Sequence, residues 1–251
     1  MTDQSKEEKL AEYVLTHPQV ESARGKPREV LRLIEEYDSK TQLEMIIGPH
    51  KGQVIIDEIK KVNPKIMIEL GCYVGYSAIL FASVLPEDSK YYSFELNDKF
   101  AAIARKFISL AGLDHKIEIF VGKASDRLPE FRDKIGNVNG KPKAVEFVFI
   151  DHWKDVYVPD LRILETLNFI APGTVIAADN IIYPGVPGYT DYVQGSAEYK
   201  KEHNKTNTNK NGAEYVGRWN IVYKSETIEV ENPNRHRDGV EISRCVDVLA
   251  E

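Results

Sequence analysis

Five short apolar runs recur between residues 65 and 180, and helix-like stretches separate them. The runs are KIMIELG (65–71), KYYSFEL (90–96), KIEIFVG (116–122), VEFVFID (145–151) and GTVIAADN (173–180). Between them lie SAILFASVL, KFAAIARKFISLAGL, DRLPEFRDKI and YVPDLRILETLNFI, all suited to helices. Strands that alternate with helices build βαβ units and a parallel sheet. Several of the runs are apolar almost throughout, as expected of strands covered on both faces. The pattern therefore predicts an α/β fold, and 251 residues suit one such domain or at most two small ones.

The flanking segments read differently. Leu10, Tyr13 and Val14, then Val30, Leu31, Leu33 and Ile34, recur at helical spacing, with a break at 22–27. Residues 47–52 read as a loop, because Gly48, Pro49 and Gly52 crowd it. A helix carrying Val54, Ile55, Ile56 and Ile59 follows and ends at Asn63-Pro64. Residues 1–60 are thus a helical cap and 65–195 the core. The segment 196–214, SAEYKKEHNKTNTNKNGAE, is polar and reads as a surface loop. In 219–250, WNIVYKSETIEVE and VEISRCVDVL read as an antiparallel hairpin at the sheet edge, joined by a turn in ENPNRHRDG.

Two constellations carry chemistry. The first strand ends in Glu69-Leu70-Gly71-Cys72-Tyr73-Val74-Gly75, with two glycines at a strand-to-helix turn where backbone can approach a ligand closely. The second strand ends in Glu95, placed to accept the hydroxyls of a ribose. The turn lacks a third glycine, and acidic Glu69 precedes it. A carboxylate there repels a pyrophosphate and attracts a cation, which favours S-adenosylmethionine over a nicotinamide dinucleotide. Structural packing alone also accounts for a lone pair of glycines.

The second constellation lies at the ends of the fourth and fifth runs. Asp151, Asp179 and Asn180 gather at one edge of a parallel sheet, where such folds bind ligands. Two carboxylates and an amide oxygen form a hard set suited to Mg2+. Each pair taken singly also reads as a helix cap or a turn. Lys154, three residues past Asp151, is either a solvated lysine or, beside a dication, a general base. Trp153 is a core aromatic or a pocket wall, and His152 lines an adenine or simply packs.

At these residues the chain resembles the catechol O-methyltransferase family. The matching stretches are GPHKGQ, ELGCYVGYSA, FELN, AGLDHKIEIFVG, FIDHWKDVYVPD and GTVIAADNIIYPGVP, in the family's order over most of 45–195. The helices at 5–40 resemble the family's N-terminal cap. The resemblance implies a seven-stranded, mostly parallel Rossmann-like class I methyltransferase fold with an antiparallel C-terminal hairpin. It implies Mg2+ on Asp151, Asp179 and Asn180, and Lys154 as the base. Glu69, Gly71, Tyr73, Ser77, Glu95, Leu96, Ser125, Asp151, His152 and Trp153 would surround S-adenosylmethionine, with Met45 and Ile47 near its methionine end. Trp153, Lys154, Asn180 and Pro184 would hold a catechol. Leu43 stands where the family places an aromatic gate, which implies a more open mouth. Ala124 and Ser125 replace family residues near the adenine. Glu229 is the nearest match to the substrate-orienting glutamate, with Glu226 and Glu231 close by.

Charge and composition narrow the partners. A net charge of -6 speaks against nucleic-acid binding and against anionic membranes. No apolar run approaches the roughly 20 residues of a membrane helix, and the N-terminus is too polar for a signal peptide. Two distant cysteines, Cys72 and Cys245, point to a reducing, cytoplasmic setting, although spacing alone leaves one disulfide open. The expected enzyme is a monomer or weak homo-oligomer with a small-molecule substrate. A caffeoyl-coenzyme A type methyltransferase, an RNA-modifying methyltransferase and a non-catalytic S-adenosylmethionine-binding protein are the competing readings.

Overall fold

The computed structural model describes residues 4–41, 43, 45–138, 140–231 and 236–250. Four helices come first: α1 (Lys6–Thr16), α2 (Val20–Ala23), α3 (Pro27–Thr41) and α4 (Gly48–Val62). Ser5 and Glu8 close a reciprocal capping box at the start of α1. The core follows as β1 (Ile66–Leu70), α5 (Tyr76–Ala82), β2 (Lys90–Glu95), α6 (Asp98–Leu110), β3 (Ile117–Val121), α7 (Ala124–Ile135), β4 (Phe147–Ile150), α8 (Tyr157–Thr166) and β5 (Val175–Ala178). A small two-stranded ribbon, Asn137–Val138 with Lys141–Pro142, interrupts it. Then come α9 (Pro187–Gln194), α10 (Ala197–Thr206), β6 (Ile221–Val230) and β7 (Asp238–Val248).

All seven strands form one sheet in the order β3-β2-β1-β4-β5-β7-β6. Strands β1 to β5 pair in parallel, and β7 pairs antiparallel with both β5 and β6. Strand order reverses between β1 and β4. The C-terminal ends on either side of that point open a crevice, the usual ligand position in such sheets.

The period-2 alternation of the strands divides the core between two faces. Met67, Phe147, Phe149, Val175 and Ala177 pack on one side with α1, α3, α4, α5 and α6. Ile66, Ile68, Leu70, Val148, Ile150 and Ile176 pack on the other with α7, α8 and α9. Both cysteines are buried and free, Cys72 on the first face and Cys245 on the second. Among the described residues, no helix is long and apolar enough to cross a membrane.

Two local expectations are corrected. Residues 48–52 are not a loop: they form the first turns of α4, with a proline at its first positions, where the missing N–H costs nothing. Nor is 196–214 wholly a loop, because 197–206 forms α10. Ser196 caps it by accepting from Tyr199 N. The buried face of α10 is polar, carrying Lys200 and Asn204. Lys200 donates to the carbonyl of Ile221, and its ammonium lies 4.7 Å from the centre of the Tyr223 ring. Asn204 Nδ2 donates to Tyr192 Oη at 3.1 Å. The turn expected between the late strands falls largely on 232–235, outside the described residues.

Phe131 anchors the second face. Its ring lies 4.7–5.7 Å from those of Tyr92, Phe94, Phe120 and Phe169, and it has no exposed surface. Phe131→Ala is expected to cost about 3–5 kcal/mol. In urea titrations the midpoint should fall while the slope stays constant.

Candidate functional site

The crevice is built on a close approach of two strand ends. Gly71, just past β1, has φ +99°, and a Cβ there would lie 2.6 Å from the carbonyl oxygen of Asp151 and 2.9 Å from His152 Cα. Only glycine fits both the backbone conformation and the space. Gly75 repeats the constraint at the start of α5, with φ +88° and Ala104 3.0 Å from its absent Cβ.

Acidic groups line the first half of the site. Glu69 is fully buried, and it accepts from Ser77 Oγ and from Ser93 Oγ, each at 2.5 Å. Burial raises its pKa to about 7, against the pull of these hydroxyls. Glu95 Oε2 accepts from the backbone N–H of Cys72 (3.1 Å) and Tyr73 (2.7 Å), and Oε1 from Asn97 N (2.8 Å). Burial pushes its pKa upward and these N–H groups oppose it. A carboxylate has about four acceptor positions, so Glu95 retains room for a further donor. Tyr73, at φ +48°, ties the glycine turn to the cap: its Oη donates to Glu7 Oε1 on α1 at 2.8 Å. Tyr76 Oη likewise donates to Glu35 on α3 at 2.5 Å.

The second half lies at the ends of β4 and β5. Ile150 pairs with Ala178, so Asp151 and Asp179 follow side by side. Lys154 Nζ donates to Asp151 Oδ1 (3.0 Å), Asn180 Oδ1 (2.6 Å) and Tyr157 Oη (2.7 Å). Asp179 is only 2% exposed. Lys51 Nζ donates to its Oδ2 at 2.8 Å and lies 2.7 Å from Oδ1. That second approach is an ion pair, and the buried Oδ1 has no further donor. Burial and the charge of Asp151 push the Asp179 pKa upward, against Lys51. Among the described residues no group of three or more His, Cys, Asp and Glu forms a metal cage. The set here is two carboxylates and an amide. The convergence of Asp151 and Asn180 oxygens on one ammonium, and of both Asp179 oxygens on another, fits a hard cation that keeps other oxygens on its remaining positions.

The other expected residues are distributed as follows. Trp153 is 77% exposed, and Leu96 and Met45 are exposed too, which leaves three apolar side chains uncovered. Ser125 lies half-buried in the first turn of α7. Pro184 is exposed, in the turn Ile181–Gly185 that follows Asn180. Ile47 is buried. His152 packs: its Nε2 is 2.8 Å from Asp160 Oδ2 and its ring stacks on Tyr157. Leu43 is 2% exposed and belongs to the first apolar cluster. Glu229 is exposed on β6 opposite Gly239, and Arg237 is its ion-pair partner. Glu226 lies three residues away along the strand, so its side chain leaves the opposite face of the sheet.

Sequence reasoning missed Lys51, Asp238 and Tyr157. Lys51 sits within GPHKGQ, but a lysine in a segment that reads as a loop looks solvated. Asp238 begins a strand as Asp-Gly, which looks like a turn.

Sheet order and crevice together define a Rossmann-like class I methyltransferase. The O-methyltransferase family model matches residues 20–211. The chain is 36% identical over 190 residues to "Catechol O-methyltransferase" of Mus musculus, covering 76% of this chain and 70% of the relative. It is 34% identical over 199 residues to the protein of the same name from Bos taurus, covering 79% and 70%. Among solved structures, the O-methyltransferase TomG from Streptomyces achromogenes, in complex with SAM, superposes with a TM-score of 0.56 at 20% identity, covering 98% of this chain and 100% of that one. The chain belongs to the O-methyltransferase family, in its catechol O-methyltransferase-like group.

Gly71→Ala tests the close approach. The strained φ alone should cost on the order of 1–3 kcal/mol, and displacement of Asp151 adds to it. Thermal unfolding should shift clearly downward; an unshifted transition would mean the two strand ends are not locked together.

Proposed function

We propose that the protein methylates one hydroxyl of a catechol, using S-adenosylmethionine as donor and Mg2+ as a required cation. The observation that carries this reading is the convergence of Asp151, Asp179, Asn180 and Lys154 beside the Gly71 turn. The names of the curated relatives support the choice of acceptor. The setting proposed is cytoplasmic, where both buried cysteines remain thiols.

When bound, the cation would draw the acidity of a phenol, ordinarily near pH ~10, toward neutrality, and the cofactor would present an electrophilic methyl group. The chain's own residues divide the remaining work. Glu69 and Asp151 supply negative charge where a sulfonium and an ammonium need it. Glu95 retains acceptor capacity for a ribose. Asp151, Asp179 and Asn180 would hold the cation through their side-chain oxygens, and Lys154 Nζ, in its neutral form beside the cation, would take the hydroxyl proton. Exposed Trp153 and Pro184 would flank a planar ring and exclude water, and Glu229 would orient the second hydroxyl. With acceptor and donor held in register, proximity supplies much of the acceleration.

The deciding experiment is turnover of a small catechol panel with labelled S-adenosylmethionine, with and without Mg2+. Turnover should require the metal. Asp179→Ala should lower it more than about a hundredfold, while calorimetry shows cofactor affinity largely intact. Undiminished activity in excess chelator would remove the cation from the mechanism, and failure of every catechol would remove the acceptor class.

A pH dependence follows from Glu69. Its raised pKa of about 7 means that the ligand-free carboxyl is largely protonated below that value. A cationic ligand favours the carboxylate. Affinity for S-adenosylmethionine should therefore rise with pH through about 7 and level off above it, with proton release on binding at lower pH. Titrations in buffers of different ionisation heat measure that release; constant affinity from pH 6 to 8 would separate Glu69 from the ligand's charge.

A further inference from the structure

Asp238 opens β7 and takes no part in the chemistry above, yet its buried carboxylate is the most heavily engaged group in the crevice. Oδ2 accepts from Lys51 Nζ at 2.7 Å and from Asn180 Nδ2 at 3.1 Å. Oδ1 accepts from the backbone N–H of Ile182 (3.2 Å), Tyr183 (3.0 Å) and Gly239 (2.7 Å). One side chain thus joins α4, the second residue after β5 and the turn that carries Pro184.

The contact with Asn180 has a chemical consequence. A primary amide has an acceptor end and a donor end, exchanged by one rotation. Only the acceptor end can serve a cation. An ionised carboxylate accepts and cannot donate; an ammonium donates and cannot accept. Asn180 lies between one of each, with Nδ2 on Asp238 and Oδ1 on Lys154. The two partners agree on a single orientation, and that orientation turns Oδ1 toward the Lys154 ammonium that also holds Asp151. Asn180 is also held at φ +60°, a conformation asparagine tolerates better than most residues. The two N–H bonds from Ile182 and Tyr183 fix the backbone that follows it.

We propose that Asp238 is a positioning residue that locks the Asn180 amide with its oxygen facing the cation site, so that a side chain that does not touch the cation sets the site's affinity for it. Lys51 completes the lock by bridging Asp238 to Asp179. The inference rests on the reading that Asp151, Asp179 and Asn180 hold a divalent cation.

Asp238→Asn is the direct test. It keeps the shape, removes the charge and admits a donor where only an acceptor stood, so the Asn180 amide is free to turn over. Mn2+ binding to the full chain, followed by electron paramagnetic resonance without cofactor or catechol, should weaken about ten- to a hundredfold, the range for outer partners of metal ligands. Affinity for S-adenosylmethionine should stay within about twofold, since the glycine turn and Glu95 are untouched. Asp238→Glu, still an acceptor only, should recover much of the Mn2+ affinity; it also carries the test if the asparagine variant fails to fold. Wild-type Mn2+ affinity in Asp238→Asn would overturn the proposal while leaving the cation reading intact. Absence of Mn2+ binding by the wild type would overturn both. Parallel loss of Mn2+ and cofactor binding, with no recovery in Asp238→Glu, would reduce Asp238 to a structural role and overturn the proposal.

Discussion

The contact between Gly71 and the backbone of Asp151 is the constraint on which the crevice depends. Two parallel strands approach so closely at their C-terminal ends that a single methyl group would not fit between them. Everything acidic in the site is referred to that contact. Glu69 precedes it on β1, Glu95 closes the neighbouring strand, and Asp151 is itself one wall. Asp179 follows on the next strand in register. The turn is therefore more than a place where a ligand can approach. It sets the spacing between the half of the crevice that faces the glycine turn and the half that faces β5.

A cluster of this kind is expensive unless its charges are balanced. The chain balances them from two directions. Lys154 reaches in from the segment after β4, and Lys51 from the cap, each bridging acceptors that would otherwise repel one another. For Lys51, burial works to lower the pKa, but the carboxylates of Asp179 and Asp238 outweigh it and hold it raised. The two lysines divide the acceptors between them. Lys51 serves Asp179 and Asp238; Lys154 serves Asp151 and Asn180. The cap thus contributes a charge to the crevice as well as apolar cover.

What could be read in the sequence follows from how each part is held. The doubly covered strands were legible because burial on both faces leaves an unbroken apolar run, as in FVFI of β4. The pairing of Asp151 with Asp179 and Asn180 was legible because parallel strands end at one edge. Helix α10 was not, since its buried face is Lys200 and Asn204, and apolar periodicity is blind to a helix held by hydrogen bonds. Lys51 and Asp238 were not, because their partners lie 128 and 187 residues apart in sequence, and each residue type is ordinary where it stands.

The two phenol–carboxylate bonds beneath the cap bear on how the molecule moves. Tyr73 and Tyr76 leave the glycine turn and the start of α5, and they end on Glu7 of α1 and Glu35 of α3. A hydrogen bond has no preferred direction of influence: what restrains one partner restrains the other. The first helices of the chain and the sharpest turn of the sheet therefore share their freedom. Any fraying at the amino-terminal end is felt as slack in the turn, and any occupant that stiffens the turn draws the cap down with it.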